Sequence, residues 1–219
     1  GLFFRLDGNG NGYHVIWEFN NINYAPASLL ADGNVIYGTT RRSSKGGGAL
    51  FKYSLQDHSF EFIKDFDPNE VQEVRIRYIK DGVLWLTSDR SYVDNGSIFT
   101  IKKDGTKLTK IYNATDFEKG QNPVDFVFHE NYIYIACYGG GDLISNSGGG
   151  NESTGCFIRI KQDGAGYQKL VTGGAEKGSQ PQSILIRENK LIGLFAYSAN
   201  KIPYGGRFFR CNLDGTSYK

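Results

Sequence analysis

The chain repeats itself, and the period leaves few folds open. The segment GLFFRL at Gly1 returns as GALFKY at Gly48, GSIFTI at Gly96, GCFIRI at Gly155 and GRFFRC at Gly206, at intervals of 47, 48, 59 and 51 residues. A tight turn follows each copy: Asn9-Gly10, Gln56-Asp57, Asp104-Gly105, Asp163-Gly164 and Asp214-Gly215. After each turn comes a large apolar residue (Tyr13, Phe60, Leu108, Tyr167, Tyr218). A second register runs between these. PASLLADGNVIYGTT at Pro26 is matched from Val74, Pro123 and Pro181, at intervals of 48, 49 and 58. Two registers with matched spacing are not expected from chance.

Each unit reads as four short strands. Strand a is the SLLA-type run, and a tight turn leads to strand b, the VIYGTT-type run. A longer Gly-rich loop leads to strand c, the GALFKY-type run, and a second tight turn to strand d. Alternating apolar residues and Asx-Gly turns are hairpin signals. Four strands repeated about every 48 residues predict an all-β fold, a β-propeller of four-stranded antiparallel blades. A β-solenoid is the alternative, with repeats that are usually shorter. The expected single domain divides into a half blade at 1–23, full blades at 24–67, 68–117 and 118–175, and a last blade at 176–219 that lacks most of strand d. Five c strands stand against four a–b pairs, which suggests part of a longer ring.

Composition excludes several classes. Hydrophobic residues make up 39% and charged residues 22%, enough for a packed core. The net charge of +2 gives no specific pull towards nucleic acid or acidic membranes. No run of about 20 apolar residues predicts a spanning helix, and no signal peptide opens the chain. The sequence holds no methionine, so it is expected to begin after a processing site, a cloning junction or a truncation.

The unit from Pro26 to Phe66 resembles the GloVer tandem repeat of bacterial surface proteins, with the match carried by Val35 to Phe51. HENYIYIACYGG and GRFFRCNLDGTSYK are more similar to the YWTD-type propellers of lipoprotein receptors and to "IYY…DG" propellers of unknown function. The resemblance implies an exported propeller, extracellular or at the cell surface, without assigned chemistry, catalytic residues or cofactor.

Connectivity separates two ends of each blade. The a–b and c–d turns are uniformly tight. The b–c loops are long and unequal: Arg41 to Gly47, Asp89 to Asn95, Tyr138 to Thr154 and Tyr197 to Gly205. Variable loops on one face mark it as the expected binding surface for a protein or glycan partner. At the start of the inner strands, repeat alignment puts Ala27, Arg75, Val124 and Gln182 in one column, and Ser28, Ile76, Asp125 and Ser183 in the next, with Arg77 following. Arg75, Arg77, Asp125, Ser28 and Ser183 are therefore the ligand-binding candidates, against pairing among themselves or with water. Tyr37, Trp85 and Tyr134 form an aromatic column on strand b, expected to pack between blades, as is Trp17 on strand d.

Of three cysteines, Cys137 and Cys156 end facing strands and are the disulfide candidates, with two reduced thiols as the alternative; Cys211 is expected unpaired. Asn95, Asn113 and Asn151 begin Asn-x-Ser/Thr sequences, a weak glycosylation signal. DGNGNGYHVIWE fits a calcium loop through Asp7, Asn9, Asn11 and Glu18. The equivalent KQDGAGYQKL keeps the turn without those ligands, so the stretch reads as a turn rather than a metal site.

An enzyme is the less favoured reading. His14, His58 and His129 are not placed to meet Asp125 or a cysteine. A glycosidase needs two facing carboxylates, and the inner strands offer Asp125 alone. The glycine runs at Gly46 to Gly48 and Gly148 to Gly150 lack the sequel of a phosphate loop. The expectation is a non-enzymatic binding, display or structural module, with a carbohydrate-active enzyme as the alternative.

Overall fold

The structure, a computed structural model, describes residues 1–19, 24–89, 95–114, 119–145, 151–198 and 205–219. The chain divides into two compact units, Gly1–Val93 with Phe99–Thr109, and Asp94–Ile98 with Lys110–Lys219. Among the described residues there is no α-helix.

Strands β1 (Leu2–Arg5) and β2 (His14–Glu18) form a hairpin. Strands β3 (Pro26–Asp32), β4 (Val35–Thr40), β5 (Ala49–Ser54) and β6 (Phe60–Asp65) form a four-stranded sheet in chain order. So do β7 (Arg75–Lys80), β8 (Val83–Ser88), β9 (Ser97–Lys102) and β10 (Thr109–Asn113). The next sheet joins β11 (Gln121–His129), β12 (Tyr132–Gly139), β15 (Cys156–Lys161) and β16 (Gln168–Thr172), while β13 (Leu143–Ser145) and β14 (Asn151–Ser153) pair separately. The last comprises β17 (Ser179–Arg187), β18 (Lys190–Tyr197) and β19 (Arg207–Asn212). Beyond it, Lys219 exchanges two backbone hydrogen bonds of 3.0 Å with Arg210, the start of a further strand pairing.

The cores follow from the apolar alternation. In the first unit Tyr37, Leu50, Phe66, Ile76, Leu86 and Phe99 pack together. In the second, Tyr134, Phe157, Leu191, Phe195 and Phe209 do so. Tyr37 and Tyr134 of the aromatic column are thus core residues, and Trp17 lies flat on Phe60 with centroids 4.1 Å apart. Two glycines make room for aromatic rings. Gly38 is paired with Phe51 and Gly193 with Phe209. A Cβ at either would stand 2.1 or 2.3 Å from the partner ring, closer than atoms approach.

The c–d turns share one device. The Oδ1 of Asn9, Asp57, Asp104, Asp163 or Asp214 accepts the backbone N–H two residues on, at 2.9–3.1 Å. This is the Asx turn, in which a side chain replaces a backbone acceptor. In three turns the following glycine also backs onto the preceding outer strand. A Cβ on Gly164 or Gly215 would lie 2.4 or 2.2 Å from the carbonyl oxygen of Ile111 or Leu170, and one on Gly105 would lie 2.7 Å from Ile63. Hydrogen bonds from Ser54 and Ser59 hold the Asp57 carboxyl down at about 2. Its folded value is depressed from the ordinary 3.8. Its stabilising contribution is therefore present above 3.8 and is lost as pH falls through about 2. Carboxyl-detected NMR titration is expected to find Asp57 still ionised where ordinary aspartates are half protonated. Substitution of Ser59 by alanine should move it back towards them.

Candidate functional site

Each inner strand carries a bulge, and its place decides which side chains share a column. The extra residue is Ala27 in β3, Val124 in β11 and Gln182 in β17, but Arg77 in β7. Arg75 consequently pairs with Thr87 as Ser28 pairs with Thr39. This corrects the alignment: Arg75, not Ile76, occupies the column of Ser28, Asp125 and Ser183. A bulge shifts every later side chain by one position, and its place is not visible in residue type.

Two members of this column fasten neighbouring sheets. Ser28 Oγ accepts the Ile76 N–H at 2.8 Å and shares a hydrogen bond of 2.7 Å with Thr39. Asp125 Oδ2 accepts from Ser183 Oγ at 2.8 Å and from the Ile184 N–H at 3.1 Å, while its Oδ1 accepts from the Phe126 N–H at 3.0 Å. The structure therefore brings Asp125 and Ser183 together and spends both carboxylate oxygens on the fold. Arg75 is engaged elsewhere, by Asp89 at 2.5 Å. Arg77 is the half-buried bulge residue.

At the long-loop end of the first unit a charge network surrounds Arg75. Arg41 Nε donates to Glu73 at 3.0 Å and its Nη2 donates to the same oxygen. Glu73 and Asp89 meet side chain to side chain. Burial is the largest influence on Asp89 and lifts its carboxyl above the ordinary range against the pull of Arg75. Burial also acts on Glu73, but the hydrogen bond and charge of Arg41 outweigh it and leave that carboxyl lowered. Glu73 has φ of +54°, a region non-glycine residues avoid, and Asn122 and Gln180, the second residues of β11 and β17, repeat this at +49° and +59°. Sequence reasoning missed Arg41, Glu73 and Asp89 because they lie on connections outside the repeated strands.

The second unit carries its distinctive element at the same end of its sheet. Residues 140–155 join β12 to β15 and include the separate β13–β14 hairpin, whereas residues 41–48 alone join β4 to β5. Thr154 fixes the stem. Its side chain is buried, and its Oγ1 donates within 2.9 Å of the carbonyls of Asp142 and Gly173. Below the stem, Cys137 and Cys156 are directly opposed, wholly buried and free. The disulfide candidate is corrected to a thiol pair. Opposed residues of an antiparallel pair hold their Cβ atoms about 4.5–5.5 Å apart, wider than the roughly 3.8 Å typical of a disulfide. Burial pushes the Cys137 thiol up, and its hydrogen bond draws Cys156 down. Cys211 is also free, with burial lifting its thiol to about 11.

The remaining candidates stand apart. Asp7, Asn9 and Asn11 lie in the β1–β2 turn, closed by Asp7 N–H to Asn11 O at 2.8 Å, but Glu18 pairs with Leu2 at the far end of β2. Extended backbone from Tyr13 to Glu18 covers about 16 Å at 3.3 Å per residue, so no loop carries Glu18 back to Asp7. Asn95 and Asn113 are exposed and Asn151 begins β14. His58 bonds Tyr53 at 2.9 Å. Within the long loops, residues 90–94, 146–150 and 199–204 lie outside the described residues, and Gly148 to Gly150 with them.

No protein-family model matches the chain, and no curated protein matches it in sequence. Solved structures do match its fold. The nidogen/laminin complex aligns over 94% of this chain and 67% of that one, with TM-score 0.62 and 15% identity. TolB from Acinetobacter baumannii aligns over 98% of this chain, which spans 46% of it, with TM-score 0.58 and 16% identity. A putative TolB from Agrobacterium tumefaciens aligns over 95% of this chain and 83% of its own, with TM-score 0.52 and 13% identity. At such identities the likeness is one of fold. The four-stranded antiparallel sheets and these neighbours together make this chain an all-β protein of the β-propeller type, built from repeated blades.

Proposed function

We propose that the chain is a GloVer-type surface propeller module, extracellular or at the cell surface, which binds or displays a protein or glycan partner through its long loops without catalysing a reaction. The β13–β14 hairpin carries this reading. Its paired strands and buried threonine stem are already formed among the described residues, so those parts lose little conformational entropy on contact. The separate Arg41–Glu73–Asp89–Arg75 network presents polar groups, exposed at Arg41 and half-buried at the other three, at the long-loop end of the first unit.

The carbohydrate-active enzyme has weaker support. Asp125, the carboxylate it relied on, is fully hydrogen-bonded within the fold. Glu73 and Asp89 touch, whereas glycosidase carboxylates stand about 5–9.5 Å apart.

Binding to glycan and extracellular-protein arrays, with and without the hairpin, tests the proposal. Replacing residues 143–153 by two glycines is expected to abolish partner binding while leaving the unfolding temperature within about 4 °C. An unchanged binding profile, or turnover of any polysaccharide by the intact chain, would sink it.

A further inference from the structure

The tight-turn end of the second unit holds a cleft of about 360 Å³ lined by His129, Glu130, Arg159, Asn189, Leu213 and Asp214. Arg159 is one of its lining residues and is fixed from several sides. Its Nε donates to Gln168 at 2.9 Å, and its Nη1 donates to Tyr134 Oη and to the Leu213 carbonyl, each at 3.3 Å. The guanidinium also lies 4.8 Å from the Tyr132 ring centre. A guanidinium carries five N–H donors. The two on Nη2 have no partner among the described residues. Among the described residues Arg159 forms no ion pair with a carboxylate, unlike Arg41, Lys52, Lys64, Arg75 and Lys103, though its charge acts on Asp214 across the cleft.

The repeat shows why this place is open. In the first unit Asp32, on an a–b turn, pairs with Lys103 of the next c–d turn at 2.5 Å. The matching residues in the second unit are His129, which pairs with Tyr132 as Asp32 pairs with Val35, and Leu213. Neither side of the ion pair is kept there: Arg159 reaches the Leu213 backbone, and the carboxylate of the adjacent Glu130 has no partner among the described residues. The Asn189 side chain, in the left-handed region at φ +54°, is likewise without a hydrogen bond among the described residues.

We propose that this cleft binds a hydroxylated carboxylic acid, with a hexuronic acid the best-fitting class. Arg159 Nη2 receives the carboxylate, a charge-assisted contact made by a donor already held in place. Glu130 and Asp214 accept from ring hydroxyls, while Asn189 and His129 offer donors on the rim. An arginine opposite a free glutamate would also suit an amino acid. The polar groups around the rim exceed what so small a zwitterion reaches at once, and a six-membered polyol satisfies more of them. This site is independent of the long-loop face.

Titration of the intact chain with galacturonic acid, followed by NMR, tests the assignment, with galactose, acetate and glycine as comparators. Galacturonate should bind at least about tenfold more tightly than any comparator, the scale of one good charge-assisted contact. Arg159→Gln should weaken it by about the same factor. Asn189→Gly keeps the left-handed backbone and removes the amide, so it should weaken binding about threefold even if the arginine variant folds poorly. Equal binding of galactose, acetate or glycine, or galacturonate affinity unchanged by Asn189→Gly, would overturn the proposal.

Discussion

Phe209→Ala is expected to destabilise the second unit by about 3–5 kcal/mol, the range for emptying a buried aromatic site. Phe209 is wholly buried, with ring centroids 4.9 Å from Phe157, 5.4 Å from Phe195 and 5.0 Å from Tyr218. Its site cannot collapse easily, because three further rings and a strand backbone frame it. Gly193 sits beneath the ring and cannot refill the space. Gly193→Ala in the intact chain brings a carbon within 2.3 Å of Phe209 and 2.7 Å of Phe157, and should itself cost about 1–3 kcal/mol by overpacking. Combined with Phe209→Ala, the added methyl enters the cavity, so the pair should cost less than the sum. Urea denaturation followed by near-ultraviolet circular dichroism measures all three. Strict additivity would show that the ring does not rest in the glycine notch.

Asp125→Ala should cost about 2–3 kcal/mol, since hydrogen bonds to a charged group contribute about 1.5–3 kcal/mol and the buried Ile184 N–H loses its acceptor. Asp125→Asn keeps one oxygen for a donor and should cost roughly half as much. The ordering matters more than either value. If Asp125 instead faced a ligand, alanine and asparagine would both leave the unfolding midpoint almost unchanged and would alter binding alone.

The fold was legible because its signals are local and repeated. Alternating strands, Asx turns and two registers each point to the same blade, and the described sheets follow that order. The site was less legible, for reasons that differ residue by residue. Asp125 and Ser183 stand in the sequence as ligand-binding candidates against pairing with each other, and they do meet, as a fastening between strands. Arg75 found Asp89, which lies at the start of a loop and carries no repeat signature. The bulge at Arg77 altered a column by one residue, a backbone choice that residue types do not encode. Arg159 was passed over because a basic residue on a strand is usually a solvated one. The cleft beside it and its two unengaged Nη2 donors distinguish it in the structure, where His129 and Leu213 replace the Asp32–Lys103 pair. Gly38 read as part of a family motif, and its ring-sized notch against Phe51 gives that motif a steric cause.

The glycines of the c–d turns bear on the contrast between the two ends of each blade. Gly164 and Gly215 approach the previous strand's carbonyls so closely that neither a side chain nor an inserted residue fits there. At the turns of Gly105, Gly164 and Gly215 close contact between neighbours limits the turn, whatever that end is used for. The loops at the other end also carry closely packed glycines beside the strands, at Gly48 and Gly155, yet they differ in length, 41–48 against 140–155, and such differences need no selection for binding. Uniformity at one end is a record of packing. It says nothing against a ligand settling beside it, and the cleft around Arg159 lies there.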